Sequence, residues 1–185
     1  MLRIIGGELA GRQIWSVPGE ATRPPLARVR GAVANILMEY IPGSKVLDLF
    51  AGTGSYSIEL LSRGSSFAVM VDNSLKAISV MKRNIDELGL TRRVELIQGD
   101  ALRVIPLLES RGETFQIILV APPYFSGLDQ TTMESLGKGT LLDPAGIVVL
   151  QQHKKELLQD EYGFLILKKT YSYGDTRIST FRVRP

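Results

Sequence analysis

The chain has 185 residues, 44% of them hydrophobic and 22% charged, with a formal net charge of +3, the composition of one globular domain with a sizeable core. No apolar run reaches the length of a membrane span, and the first residues lack the charged-then-apolar pattern of a signal peptide. With no cysteine and a single histidine, His153, there is no basis for disulfides, thiolate metal sites, a cysteine nucleophile or a histidine-rich metal cluster, so a cytoplasmic protein without a metal is expected.

Residues 3–17 predict a β-hairpin: Arg3-Ile4-Ile5, a Gly6-Gly7 turn region, then Arg12-Gln13-Ile14-Trp15, closed by Pro18-Gly19. Leu26, Val29, Val33, Ile36, Leu37 and Tyr40 recur at three- and four-residue steps, which predicts an amphipathic helix over 25–39 with proline at its start. In the first 30 residues Arg3, Arg12, Arg23, Arg28 and Arg30 face only Glu8 and Glu20, as in a phosphate-binding surface. From Lys45 onward strands and helices alternate. Strands are expected at 46–49, 67–71, 94–97, 115–120 and 147–150. Helices are expected at 56–62, from the cap Ser74 to the stop Gly89, near 104–108 and near 130–136. Two last strands, about 164–170 and 177–184, form a hairpin that closes the sheet. This predicts an α/β fold with a doubly wound, mostly parallel sheet and a terminal antiparallel pair. Residues 1–185 read as one domain, with 1–44 an amino-terminal hairpin-and-helix extension of a core at 45–185.

The most informative stretch is Asp48-Leu49-Phe50-Ala51-Gly52-Thr53-Gly54, where an apolar strand meets an acidic residue and a two-glycine turn. Ligands of open α/β sheets bind at this end of the strands. The dinucleotide fingerprint G-x-G-x-x-G fails because its third position is Ser57, and the Gly-Lys-Ser/Thr of a P-loop is absent. Acidic residues end three successive strands: Asp48, Asp72 and Asp100. Asp72 lies where a carboxylate can accept both hydroxyls of a ribose, Asp100 where it can accept from an adenine amine, and Asp48 where it can act on a ligand amine. Together they describe a nucleoside with a positively charged tail. The fourth strand ends in Ala121-Pro122-Pro123-Tyr124, a stiff turn lacking two amide donors, whose carbonyls suit an exocyclic amine and whose ring suits a stacked base.

The pattern D-x-F-x-G-x-G resembles the first-strand turn of S-adenosylmethionine-dependent methyltransferases. Arg3-Ile4-Ile5-Gly6-Gly7, Gly11-Arg12, Thr22-Arg23-Pro24, Arg28-Val29-Arg30, the Asp48–Gly54 turn and Pro122-Pro123-Tyr124 appear in one order. That order resembles the RsmD-type methyltransferases, which methylate the N2 amine of a guanine in bacterial small-subunit (16S) ribosomal RNA. The resemblance covers nearly the whole chain and implies a Rossmann-like class I fold with S-adenosylmethionine as cofactor. It implies that Asp48, Phe50, Gly52 and Gly54 cradle the methionine part, that Asp72 holds the ribose, and that Asn73, Asp100 and Ala101 lie against the adenine. It further implies that Ala121, Pro122, Pro123 and Tyr124 form the catalytic turn, and that the hairpin with Arg3, Arg12, Arg23, Arg28 and Arg30 touches RNA. The partner would be ribosomal RNA or the small-subunit particle, with no membrane and with a monomer favoured.

Three positions depart from the family pattern. Ala121 replaces the aspartate of Asp-Pro-Pro-Tyr, Gly31 stands where a glutamate is expected, and Gln151-Gln152 precede His153 where an acidic residue is usual. A guanine amine is a poor nucleophile, so positioning supplies much of the catalysis and acceptors on its hydrogens aim the lone pair. Losing one preorganised group at a reacting centre costs about 3–4 kcal/mol. Gln152 and Asp129 are the nearest candidates to replace it. The target guanine must be unstacked, which favours a single-stranded loop, with Tyr124 stacking on the flipped base. The rival readings are an adenine-N6 nucleic-acid methyltransferase and, because of Ala121, a non-catalytic RNA-binding or assembly factor.

Overall fold

The computed structural model describes residues 1–19 and 27–185. Parallel strands β3 (Lys45–Asp48), β4 (Phe67–Asp72), β5 (Val94–Gln98), β6 (Phe115–Val120) and β7 (Leu142–His153) alternate with helices α2 (Ser55–Ser62), α3 (Leu75–Leu88), α4 (Ala101–Ser110) and α5 (Leu128–Leu136). Strands β8 (Glu161–Tyr162), β9 (Leu165–Tyr173) and β10 (Thr176–Val183) follow antiparallel. The sheet order is β5-β4-β3-β6-β7-β10-β9-β8. The chain moves outward from β3 to β5, then crosses back to β6 on the other side of β3. The reversal opens a crevice at the carboxyl ends of β3 and β6, as the doubly wound topology dictates.

Alternation along the strands sorts the core into two layers. Val46, Met70 and Leu119 face a layer built with α2, α3 and the amino-terminal helix α1 (Ala27–Ile36). Leu47, Val69 and Ile118 face the other, built with α4 and α5. Ser74 caps α3, its hydroxyl accepting from the Ala77 amide at 3.3 Å, and Gly89 ends that helix at φ 70°, so both predicted signals operate.

Several boundaries differ from expectation. The described part of the first helix runs over Ala27–Ile36 and continues as tight turns, with Tyr40 N–H donating to the Leu37 carbonyl; its predicted start lies outside the described residues. Helix α4 spans Ala101–Ser110 and carries Pro106 on its exposed side. The largest difference is β7, expected over 147–150 but twelve residues long. Its outer part pairs with β10, from Phe181 opposite Val148 to Thr176 opposite His153, whereas β6 stops at Val120 opposite Leu150. Gln151, Gln152 and His153 therefore overhang the end of β6, backed by β10. The terminal hairpin does not cap the sheet in chain order, because β10 inserts between β7 and β9.

The amino-terminal segment forms a small ladder, β1 (Leu2–Arg3) with β2 (Gln13–Ile14), and docks on α2. Buried Glu59 accepts from the Ile5 amide at 2.9 Å, the Gly6 amide at 2.8 Å and Arg63 Nε at 3.0 Å. The Ser62 hydroxyl donates to the Gly6 carbonyl at 2.6 Å and accepts from the Leu9 amide at 2.9 Å. Gly7, at φ 80°, passes so close that a Cβ would collide with the Ser62 carbonyl. The Arg3–Gly7 motif is thus a docking motif: one buried glutamate takes two of its backbone donors. Replacing Glu59 by Ala is expected to lower unfolding stability by about 2–4 kcal/mol. Limited proteolysis of that variant will cut between residues 5 and 12 before the sheet unfolds.

Candidate functional site

The glycine turn after β3 is held by its neighbours. Asp72, at the end of β4, accepts from the Gly52 amide through Oδ2 and from the Ser74 amide through Oδ1, both at 2.9 Å. Asn84 of α3 donates to the Thr53 carbonyl at 3.1 Å and exchanges hydrogen bonds with the Trp15 backbone at 2.6 and 3.1 Å. The two glycines differ in kind. Gly54, at φ 79°, packs so that a Cβ would meet Met70 Sδ and Met81 Cγ at 3.3 Å. Gly52, at φ 56°, would point a Cβ into open space, with no atom within 4 Å. Gly54 closes the turn on the core; Gly52 leaves room beside its backbone.

Asp48 is 1% exposed. Its Oδ2 accepts from the Ser57 hydroxyl at 2.9 Å, while Oδ1 is buried with no hydrogen-bond partner. Burial pushes its pKa up to about 7; the Ser57 hydroxyl and Phe50 amide pull it down, and nearby Asp72 raises it further. A buried carboxyl with one unsatisfied oxygen is costly to leave unpaired. A ligand that brings a positive charge or a donor would meet it. Together with the open space at Gly52, this fits the methionine ammonium end of S-adenosylmethionine.

Phe50 is half-buried beside this turn, and Asp100 caps α4 by accepting from the Leu102 amide at 2.7 Å. Ala101 is buried, whereas Asn73 and Asp100 are exposed past the ends of β4 and β5. The neighbouring strands β3, β4 and β5 thus bring Asp48, Asp72, Asn73, Asp100 and Ala101 along one edge. Asp72 and Asp100 also hold backbone amides and so shape the groove.

Across the crevice Ala121 packs its methyl on the core and Pro122 is buried, while Pro123 and Tyr124 are exposed. The Tyr124 hydroxyl meets Thr176 Oγ1 at 2.8 Å and accepts from Gln151 Nε2 at 3.4 Å; Gln151 Oε1 accepts from the buried Tyr56 hydroxyl. Burial pushes the Tyr56 phenol well above the ordinary tyrosine value, with nearby Tyr124 and Asp48 adding to the shift, so it acts as a hydrogen-bond donor. Gln152 and Asp129 do not replace the missing aspartate. Both are buried and bonded to each other at 2.6 Å, with Gln152 also tied to the Leu157 carbonyl and Arg177. The amide that reaches the turn is Gln151, which is side by side with Ala121 because Leu150 pairs with Val120. Tyr56 and Thr176 carry no motif, and Gln151 is marked only as a departure from the family pattern; the pairing of β10 with β7 and the placement of α2 bring the three together.

The arginines separate into different environments. Arg30 is 2% exposed and donates to the Arg3 carbonyl at 2.6 Å; burial lowers its pKa, with Glu59 and Tyr56 nearby opposing that shift. The expectation that Arg30 faces RNA is corrected, because its guanidinium is turned into the junction of the hairpin and α2. Arg3 and Arg12 are exposed but bond the Gly11 and Glu87 carbonyls at 3.3 and 3.0 Å, and Arg28 is exposed. Arg23 lies outside the described residues. Among the described residues no group of three or more histidine and acidic side chains is placed to hold a metal.

This strand order, with a glycine turn after β3 and acidic residues ending β3 and β4, is the architecture of a class I S-adenosylmethionine-dependent methyltransferase. The family model described as "Conserved hypothetical protein 95" matches residues 2–182. The chain is 31% identical to YlbH of Bacillus subtilis over 183 residues, covering 99% of this chain and 100% of that protein. It is also 31% identical to "Ribosomal RNA small subunit methyltransferase D" of Buchnera aphidicola, over 90% of this chain and 85% of that one. A solved hypothetical protein of Thermus thermophilus superposes at a TM-score of 0.86 with 28% identity, over 99% of this chain and 100% of that one. The chain belongs to the RsmD-type methyltransferase family.

The Asp48 pKa yields a signed prediction. The folded value lies above the ordinary 3.8, so the protonated carboxyl stabilises the fold. That contribution is complete below the ordinary value and is lost as pH rises through about 7. In ligand-free protein Asp48→Asn, which stays neutral, should match wild type near pH 4 and exceed it by up to about 4 kcal/mol above pH 7. Urea unfolding across that range checks this, and calorimetry should show weaker S-adenosylmethionine binding by the same variant.

Proposed function

We propose that this protein transfers a methyl group from S-adenosylmethionine to the exocyclic N2 amine of a guanine in bacterial small-subunit (16S) ribosomal RNA. The observation that carries the reading is the pairing, across one crevice, of the unsatisfied buried Asp48 oxygen with the Pro122-Pro123-Tyr124 turn. The relatives named for small-subunit ribosomal RNA methylation support it. In this reading the protein works in the cytoplasm as a monomer, and residues 1–44 extend a catalytic core at 45–185.

Asp48 would hold the methionine ammonium, Asp72 the ribose, and Asn73, Asp100 and Ala101 the adenine, with Gly52 letting the backbone approach the ligand and Gly54 closing the turn behind it. When bound, S-adenosylmethionine supplies an electrophilic methyl on a sulfonium. The chain's own task is then to present a weakly nucleophilic amine. The Pro122 carbonyl accepts one amine hydrogen, which steers the nitrogen lone pair and stabilises the positive charge that develops on it. Gln151 takes the place of the missing acidic acceptor: its carboxamide oxygen exchanges the Tyr56 hydroxyl for the second amine hydrogen. The Tyr124 ring stacks on the base, its hydroxyl tethered by Thr176 and Gln151. Arg3, Arg12, Arg23 and Arg28 would steer the RNA backbone.

Ala121 favours one second reading, a factor that binds RNA and cofactor without turnover. Incubation with unmethylated small-subunit RNA or particles, followed by nucleoside mass spectrometry, separates the alternatives. N2-methylguanosine is expected; N6-methyladenosine moves the reaction to adenine, and cofactor binding without any transfer establishes the non-catalytic factor. Tyr124→Ala should lower kcat by about 10–100-fold, the size of one lost stacking contact, with cofactor affinity unchanged.

A further inference from the structure

We propose that Phe125 and His153 form a second base-stacking platform, for the unpaired nucleotide next to the target base on a single-stranded RNA segment. The inference rests on the RNA reading above and names a subsite beyond it.

Phe125 is the sole non-glycine among the described residues with positive φ, at 58°. Only glycine adopts that backbone without steric cost, and Phe125 bears a large ring. Core packing does not demand that ring, because the side chain is 65% exposed. Its ring neighbour is His153, with centroids 4.8 Å apart and planes tilted by 43°. His153 in turn meets the edge of Tyr124 at 5.7 Å and 72°. Tyr124, His153 and Phe125 therefore form a continuous run of rings leading out of the crevice.

The run is held by one side chain. Glu156 accepts from the Phe125 amide through Oε1 at 2.6 Å and from the His153 amide through Oε2 at 2.7 Å. Arg177, itself bonded to Gln152, donates to the Glu156 carbonyl at 2.7 Å. A carboxylate thus pins both ring-bearing backbones, and the strained conformation is over-determined by its surroundings. Lys154 and Lys155 follow His153 and are exposed, and Lys154 is shared with Asp175 at 2.9 Å. Rigid aromatic faces beside positive charge are what an unstacked base and its phosphate require.

The test is fluorescence anisotropy with a labelled mixed-sequence single-stranded oligoribonucleotide, on wild type, Phe125→Ala, Phe125→Gly, Phe125→Trp and Glu156→Ala. Thermal melts and S-adenosylhomocysteine calorimetry run alongside. Phe125→Ala and Phe125→Gly should weaken RNA binding about tenfold, within the range of one lost base stack. Phe125→Trp should retain affinity, and Glu156→Ala should lose it in the same direction. Phe125→Gly should keep or raise the melting temperature, since glycine accepts this backbone, and cofactor affinity should be unchanged. The proposal is overturned if Phe125→Gly binds RNA within twofold of wild type, as it would if the patch met a protein. It is equally overturned if that variant loses RNA affinity only together with its melting temperature, or if wild type does not bind the oligonucleotide. Methyl transfer is scored separately: wild-type transfer with unchanged Phe125→Gly binding removes the platform alone, and lost binding without wild-type transfer removes the methylation reading alone.

Discussion

One carboxylate, that of Asp72, sets the shape on which the rest of the crevice depends. Its two oxygens hold the Gly52 and Ser74 amides, and so tie the turn after β3 to the start of α3. While Asn84 fastens the same turn one residue on, at the Thr53 carbonyl, that bridge is the side-chain hold on the Gly52 amide itself. The same contact sets a like charge near Asp48 and helps raise the Asp48 pKa. The architecture thus sets two carboxyl groups close together, and one of them also braces the turn.

The far wall follows a different logic. There the sheet supplies an overhang: β7 and β10 continue past the end of β6, and the Pro122–Phe125 turn leans on them through Tyr124, Thr176, His153 and Glu156. Positioning on this side comes from hydrogen bonds among Tyr124, Thr176 and Gln151, from the Glu156 carboxylate and from ring contacts. One wall carries carboxyl groups and the other aromatic rings, as the proposed reaction between a charged cofactor and a flat base requires.

Much of this was legible in the residues. Apolar runs closed by Asp48, Asp72 and the Gly99-Asp100 pair marked three strands and the edge they share, because acidic residues and glycines interrupt hydrophobic periodicity at the ends of parallel strands. The cap at Ser74 and the stop at Gly89 were equally plain. Contacts between distant segments were not. Arg30 read as a surface cation, yet its environment is made by Arg3, Tyr56 and Glu59. Gln152 and Asp129 read as spare acceptors until the fold paired them. The outer end of β7, from Gln151 to His153, was hidden because it is paired by β10, more than twenty residues later in the chain, and its start because Pro144 and Gly146 interrupt the strand pattern there. The conformation of Phe125 leaves no trace in composition, since a positive φ at an aromatic residue runs against every local preference.

The docked hairpin has a consequence for how this protein can be altered. Because Asn84 bonds both the Trp15 backbone and the Thr53 carbonyl, the amino-terminal ladder and the glycine turn share one fastening point. Deleting the first sixteen residues would therefore not trim an appendage from a self-sufficient catalytic unit. It would bare Glu59 and remove the Trp15 contact that holds Asn84 against the glycine turn, so the turn would slacken at a distance from the cut. In this molecule the amino terminus is a keystone, and grafting the crevice onto another scaffold means carrying that keystone with it.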